Sequence, residues 1–208
     1  MGFKTFNAGD VLTASDVNTY LMKQAVIGCT SGSRPSSPAE GMTAAETDTD
    51  LVRTHDGTDW RTIAYFGDGE SYPPTLTSNG TNPTMGSATV LGRFWRTGSR
   101  RVDVLIWIKI GAGWAAGSGS YAVSLPVPVN STYNRHSLGF TFYDSSAPNY
   151  YRGFAHAGEG ASIGVTDLNV AKLYYHVAAA DSYAGFTGSA PVAPALNDIF
   201  EISGSYYV

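Results

Sequence analysis

Cysteine is nearly absent. Cys29 stands alone among 208 residues, which excludes an intrachain disulfide framework. With no histidine near it in sequence, it reads as a small packing residue or a bystander rather than a nucleophile. Charge is scarce as well: 14% of residues are charged and the net charge is -4. Lysines and arginines are scattered, Arg100-Arg101 being the only adjacent pair. That excludes the basic face a nucleic-acid binder turns toward phosphates. Long hydrophobic runs are missing too. The apolar stretch from Val102 to Ile110 is broken by Asp103 and Lys109 and is too short to cross a bilayer. The first residues, MGFKTFNAGD, lack the apolar core of a secretory signal. The expectation is a soluble chain without membrane insertion.

The residue patterns that carry common chemistries are also lacking. Four histidines, His55, His136, His156 and His176, include no pair at metal-ligand spacing on one element, and no Cys-x-x-Cys accompanies them. Asp48, Asp50, Asp56 and Asp59 alternate loosely with polar residues but do not follow the calcium-loop pattern, so they read as turn formers. Gly160-Ala161-Ser162-Ile163-Gly164 has the spelling of a Gly-x-Ser-x-Gly elbow, but it falls on the expected strand 161–165 with no helix pattern after it, whereas the elbow is a strand-to-helix turn. Gly111-Ala112-Gly113 and Gly117-Ser118-Gly119 bracket Trp114 in a β context, unlike a phosphate loop between strand and helix. Asp144, Glu159, Asp167, Asp181 and Glu201 are available to a glycosidase, yet nothing in their spacing selects a pair. No catalytic residue, metal or cofactor is therefore assigned.

What is abundant is turn chemistry: 24 glycines, with 13 tyrosines among the strand formers. In the stretch from Glu40 to Ile63, Asp56-Gly57 lies between Leu51-Val52 and Trp60. An Asp-Gly pair between extended runs is a strong hairpin signal. The strands expected are 48–54 and 60–64, with the turn at 55–59 and Trp60 as the hairpin's anchor. Upstream, Thr13 is a candidate N-cap with Asp16 in the first turn. Val17, Tyr20, Leu21, Gln24 and Ala25 follow at helical spacing. A helix of about three turns does not persist alone, so its stripe packs either on the hairpin or on other copies of the chain. Residues 28–41 read as a linker stiffened by Pro35 and Pro38, and a boundary is expected within 66–74. From Thr75 on, helix patterns vanish. Strands are expected at 88–97, 100–110, 120–125, 137–143, 150–157, 161–165, 172–178 and 198–207. The first two form a hairpin about Gly98-Ser99. Along the second, Val102, Val104, Ile106, Ile108 and Ile110 alternate with Asp103, Leu105, Trp107 and Lys109. Without a repeat of fixed period, the pattern predicts a mainly β chain: a short helix and a β-hairpin region, then an antiparallel, jelly-roll-like β-sandwich over 75–208.

Three pieces of the first third share an order with a known group. GDVLTASDVN in the helix, RP and PAEGM in the link, and DT, DG and W in the hairpin resemble the N-terminal region of tail-fibre and minor tail proteins of bacteriophages, especially those of actinobacteria. The resemblance implies a homotrimer. Residues 1–27 would serve attachment and trimerisation, with Val17, Tyr20 and Leu21 near the axis, and residues 28–66 would form linker and hairpin. Other tail or virion proteins would bind the N-terminal region, and the site of action would be the virion tail, assembled in the host cytoplasm.

The segment from Tyr143 to Phe154 mixes tyrosines with Asp144, Asn149 and Arg152. A sugar offers an apolar C–H face and hydroxyl edges, which rings and polar neighbours match together. The candidate glycan contacts are Asp144, Asn149, Tyr150, Tyr151 and Arg152 in an end loop, with Trp114 as a second platform. Because successive strand residues point oppositely, one of Tyr150 and Tyr151 should face outward. The expected function is a receptor-binding tail component recognising host-surface carbohydrate. Alternatives are a virion decoration protein without ligand and, behind it, a surface-glycan hydrolase.

Overall fold

The computed structural model describes residues 7–21, 26–98, 100–130, 132, 135–158 and 168–208, with the side chains of Thr19 and Leu21 excepted. The chain forms two compact units, Met1–Asp68 with Arg96–Ser99, and Gly69–Trp95 with Arg100–Val208. Strand dominates both units. Among the described residues no helix is long and apolar enough to cross a membrane.

In the first unit the chain enters through one α-turn, Ala14–Asp16, continued by a wider turn over Val17–Leu21. Thr13 caps it reciprocally. Its Oγ1 accepts from the Asp16 amide at 3.1 Å, and its own amide donates to Asp16 Oδ2 at 3.3 Å, so the expected N-cap is present and the first-turn acid completes a capping box with it. Gln24 and Ala25 lie outside the described residues.

Four strands follow: β1 (Val26–Cys29), β2 (Thr43–Glu46), β3 (Leu51–His55) and β4 (Trp60–Tyr65), in that order across the sheet. The linker expectation for 28–41 is corrected here, because Gly28 and Cys29 belong to β1, which pairs in parallel with β2. Parallel neighbours need a crossover, and residues 30–42 supply it. Backbone bonds of Gly41 and Met42 with His55 hold the end of the crossover, and side chains tie its start at two places. Ser31 donates its amide and hydroxyl to the Asp48 carboxylate at 2.8 and 2.7 Å. Arg34 reaches the buried Glu46.

The hairpin is present, with β3 and β4 antiparallel, although 47–50 form the turn before β3 rather than its first residues. Only Gly57 takes positive φ in the Asp56-Gly57 pair. Asp56 instead closes the loop as an acceptor from the amides of Thr58 and Asp59 at 2.9 and 2.7 Å. Those bonds, the one from Asp59 foremost, and Arg61 beside it hold its pKa well below the carboxylate range. Trp60 pairs with His55, ring edge to face at 5.5 Å, and is half-buried. Trp60→Ala is expected to lower stability by about 2 kcal/mol, less than a fully buried ring, measured as a shift in the urea midpoint. An unchanged midpoint would show that the indole does not anchor the hairpin.

The second unit is one hydrogen-bonded sheet. Its strands are β5 (Glu70–Tyr72), β6 (Leu76–Ser78), β7 (Thr89–Arg96), β8 (Arg101–Lys109), β9 (Tyr121–Ser124), β10 (His136–Asp144), β11 (Asn149–Ala157), β12 (Val170–Val177), β13 (Ser182–Gly185) and β14 (Ile199–Tyr207). The order is β5-β7-β8-β14-β10-β11-β12-β9-β6, with β13 beside β12. Expected segment 161–165 lies outside the described residues. The short strands β5, β6 and β13 carry too little alternation to be read from sequence.

This sheet curls strongly. Laid flat, its ends would stand about 38 Å apart at about 4.8 Å per strand. Yet β5 and β6, at opposite ends, are joined by residues 73–75, a link reaching no more than about 14 Å. Tyr121 on β9 and Phe200 on β14, four places apart in the order, have ring centroids 6.3 Å apart. The ends thus face each other as the layers of an antiparallel β-sandwich. Between them lies the core predicted for the alternate positions of β8: Val102, Val104, Ile106, Ile108 and Ile110 are all buried with Leu138, Phe140, Phe142, Leu173 and Ile202.

Tyr121 is fully buried, donates its hydroxyl to the Ala116 carbonyl, and is pushed by burial up to about 12. A folded pKa above the unfolded value of about 10 stabilises the fold below pH 10 and loses that contribution as pH rises to about 12. In an alkaline titration followed by tyrosinate absorbance, this phenol should ionise only as the sandwich unfolds. Its ionisation near pH 10 with native tertiary spectra intact would contradict that.

Candidate functional site

The inward side chains are spent on the core, so only the outward ones are available to a ligand, and the strand register decides which of these meet. On β11, Tyr150, Arg152 and Phe154 alternate with residues facing the core. Tyr150 is 58% exposed, whereas Tyr151 packs inward on Phe142 at 6.3 Å. One tyrosine of the pair is outward, as strand alternation requires.

The remaining sequence candidates separate. Asp144 is only 3% exposed, and its Oδ1 accepts from the Ser146 hydroxyl, the Ser146 amide and the Ala147 amide at 2.7, 2.9 and 3.2 Å. These bonds, the hydroxyl foremost, hold its pKa below the carboxylate range. It closes a tight turn and presents nothing to a ligand. Asn149 lies at the same turn, opposite Asp144 in register, and accepts from the Tyr150 amide at 2.9 Å. Trp114 is half-buried against Phe200, centroids 6.4 Å apart, with its indole nitrogen buried, and so belongs to the core rather than to the outer face. The expected end loop over 144–152 is corrected as well. Only 145–148 form the turn, and 149–152 are strand, so Tyr150 and Arg152 stand on the face of the sheet rather than at its end. Tyr133 and Asn134 lie outside the described residues.

Register brings Arg152 into a line that the sequence did not reveal. Arg152 pairs with Thr141 on β10, Thr141 with Glu201 on β14, and Glu201 with Trp107 on β8. Trp107, Glu201 and Thr141 point outward between buried neighbours, and Arg152 is exposed between the half-buried Tyr151 and Gly153. At one strand per step the row runs about 14 Å across the sheet. Tyr143 and Tyr150, centroids 4.9 Å apart, flank it on one side. On the other, Phe154 stacks on Tyr174 at 5.0 Å and meets Tyr183 at 4.9 Å. Gly139, between Ser203 and Phe154 in register, leaves the floor bare there. A Cβ built on it would meet only the Ser203 carbonyl, at 3.4 Å.

At its β8 end the row opens into a cavity of about 760 Å³, whose outward-facing lining includes Leu91, Arg93, Leu105, Trp107, Glu201 and Ser203. Leu105 is 49% exposed within it. The face thus combines rings, one carboxylate, hydroxyls and guanidinium groups. Such a set offers ring faces to apolar C–H surfaces and donors and acceptors to hydroxyls. Among the described residues no group of three or more metal-ligating side chains occurs. Beyond this row, Lys172 stands over the Tyr174 ring at 5.5 Å, and burial lowers the pKa of Lys172 and, together with Arg135 and His136, that of His156.

Trp107 had a usable signal in the alternation of β8, which already placed it opposite the core-facing valines and isoleucines. Glu201 and Thr141 had none, because their role depends on which strands lie side by side. Comparison of the chain with protein-family models, with curated proteins and with solved structures finds no match in any of the three.

Proposed function

We propose that this chain is a structural component of a bacteriophage tail, a tail fibre or minor tail protein, whose C-terminal sandwich binds carbohydrate on the host cell surface. The observation that carries the binding half is the outward row Trp107–Glu201–Thr141–Arg152 with its flanking tyrosines. It places ring faces and hydrogen-bonding heads together on a rigid sheet, which lowers the entropy lost on binding. The tail half rests on the ordered resemblance of GDVLTASDVN, the proline link and the hairpin. In this reading the N-terminal region holds three copies together and attaches them to the virion. Val11 and Leu12, which are exposed at its start, offer apolar surface for that assembly beside Val17 and Tyr20.

The test uses labelled full-length protein on intact host bacteria. Trp107→Ala and Tyr150→Ala should each weaken cell binding about tenfold or more, a loss of roughly 1.4 kcal/mol, with the thermal transition unchanged. Tyr151→Ala and Trp114→Ala should act through stability instead, since both rings pack inward. Parent-like binding by both outward variants would favour the decoration reading.

A further inference from the structure

We infer that the ligand is an internal stretch of a linear, neutral or sparsely charged polysaccharide, lying across the strands from the Trp107 cavity to Arg152, rather than a terminal sugar held in a pocket. This rests on the glycan-binding reading above and adds its orientation, length and charge.

Three observations carry it. First, the recognising groups form a line, not a ring. Trp107, Glu201, Thr141 and Arg152 follow one another one per strand. The strand spacing of about 4.8 Å is close to the advance of one pyranose along an extended chain. A terminal-sugar site would converge its polar groups on one point instead. Second, the sheet continues beyond the line at both ends, through β7 on one side and β12 on the other. The line begins in the cavity beside Leu91 and Arg93 on β7 and runs out past Arg152 between the exposed Tyr150 and the half-buried Phe154. The bare Gly139 keeps a trough beside it, so a chain can enter and leave. Third, the charge pattern selects the polymer. Glu201 stands between the arginines toward the two ends, so the charges along the row are few and of mixed sign and match no densely charged polymer along its length. Arg93 and Arg152 toward the two ends suit hydroxyl pairs or an occasional carboxylate. A peptide adding to the sheet would need free backbone groups, whereas this face offers side chains.

The experiment titrates full-length protein with linear gluco-, galacto-, manno- and arabino-oligosaccharides, each from monosaccharide to hexasaccharide, by calorimetry. In at least one series the affinity should rise steeply up to the tetrasaccharide and then level off. Arg152→Ala should weaken the tetrasaccharide and longer members about tenfold while leaving the disaccharide unchanged, because the disaccharide does not reach both ends of the row. Trp107→Ala should weaken all lengths. Gly139→Gln fills the trough at a position with room for a side chain, so it should fold like the parent and abolish binding of the longer members. Affinity independent of length, or an Arg152→Ala effect equal at every length, would overturn the spanning mode while keeping glycan binding. No binding in any series by a protein that still binds host cells would remove the glycan reading itself, and this inference with it.

Discussion

Phe200→Ala is expected to cost about 4 kcal/mol or more of stability, near the upper end for loss of a buried aromatic ring. Phe200 is fully buried, and its ring centroid lies 4.8 Å from Phe142, 5.5 Å from Phe186, and 6.3 to 6.4 Å from Tyr121, Phe140 and Trp114. These rings come from several strands and from the long connections, so the hole cannot be closed by moving one element. Packed rings also lose their edge-to-face contacts, beyond the area term. Hydrogen exchange should report the loss in the amides of β8, β10 and β14, with β2 and β3 of the first unit unaffected. A cost below about 1.5 kcal/mol, the size of a volume-conserving swap, would show that this aromatic cluster is not what holds the curled sheet.

Glu46→Ala should be comparably severe within the first unit, at about 3 kcal/mol. The Glu46 carboxylate has no exposure, and Arg34 Nε and Arg53 Nε lie 3.2 and 3.0 Å from its Oε1. Neither forms a well-aligned hydrogen bond there, so the attraction is coulombic, while the Thr49 hydroxyl donates to the other oxygen. Removing the acid leaves two guanidinium groups facing each other with little water, and breaking a buried ion pair from one side costs about 3–5 kcal/mol. The lower end applies because both arginines retain some access to solvent. Glu46→Gln keeps the shape and the threonine bond but not the charge. It should fall between parent and alanine, and a glutamine variant as stable as the parent would show that charge is not the tie. The expected reporter is rapid exchange across residues 30–42, which Arg34 fastens to the sheet.

The difference between what could be read in the chain and what had to be seen follows from the range of the forces. Alternation along β8 and the Asp56-Gly57 turn are local, so the buried valines and isoleucines and the hairpin were legible in residue order. The Thr13–Asp16 cap was legible for the same reason. β2 was not, because Thr43-Ala44-Ala45-Glu46 has little strand preference of its own and is fixed by pairing on both sides with β1 and β3. The buried Glu46 was hidden with it, its partners lying 12 residues before and 7 after in the sequence. The site divided in the same way. That one tyrosine of Tyr150-Tyr151 faces outward is a property of any strand, whereas the line from Trp107 to Arg152 exists only because β14, the last strand, inserts between β8 and β10. Asp144 was drawn into the candidate set by composition, but a carboxylate at a turn is an acceptor for nearby amides first.

The proposed role is tested most directly by binding of labelled full-length protein to host cells whose surface has been treated in two ways. Mild periodate cleaves vicinal diols of sugars, and protease strips surface protein. A carbohydrate receptor held along the Trp107–Arg152 row predicts loss of binding after periodate, retention after protease, and competition by the released wall polysaccharide. Binding that survives periodate and disappears after protease would contradict it.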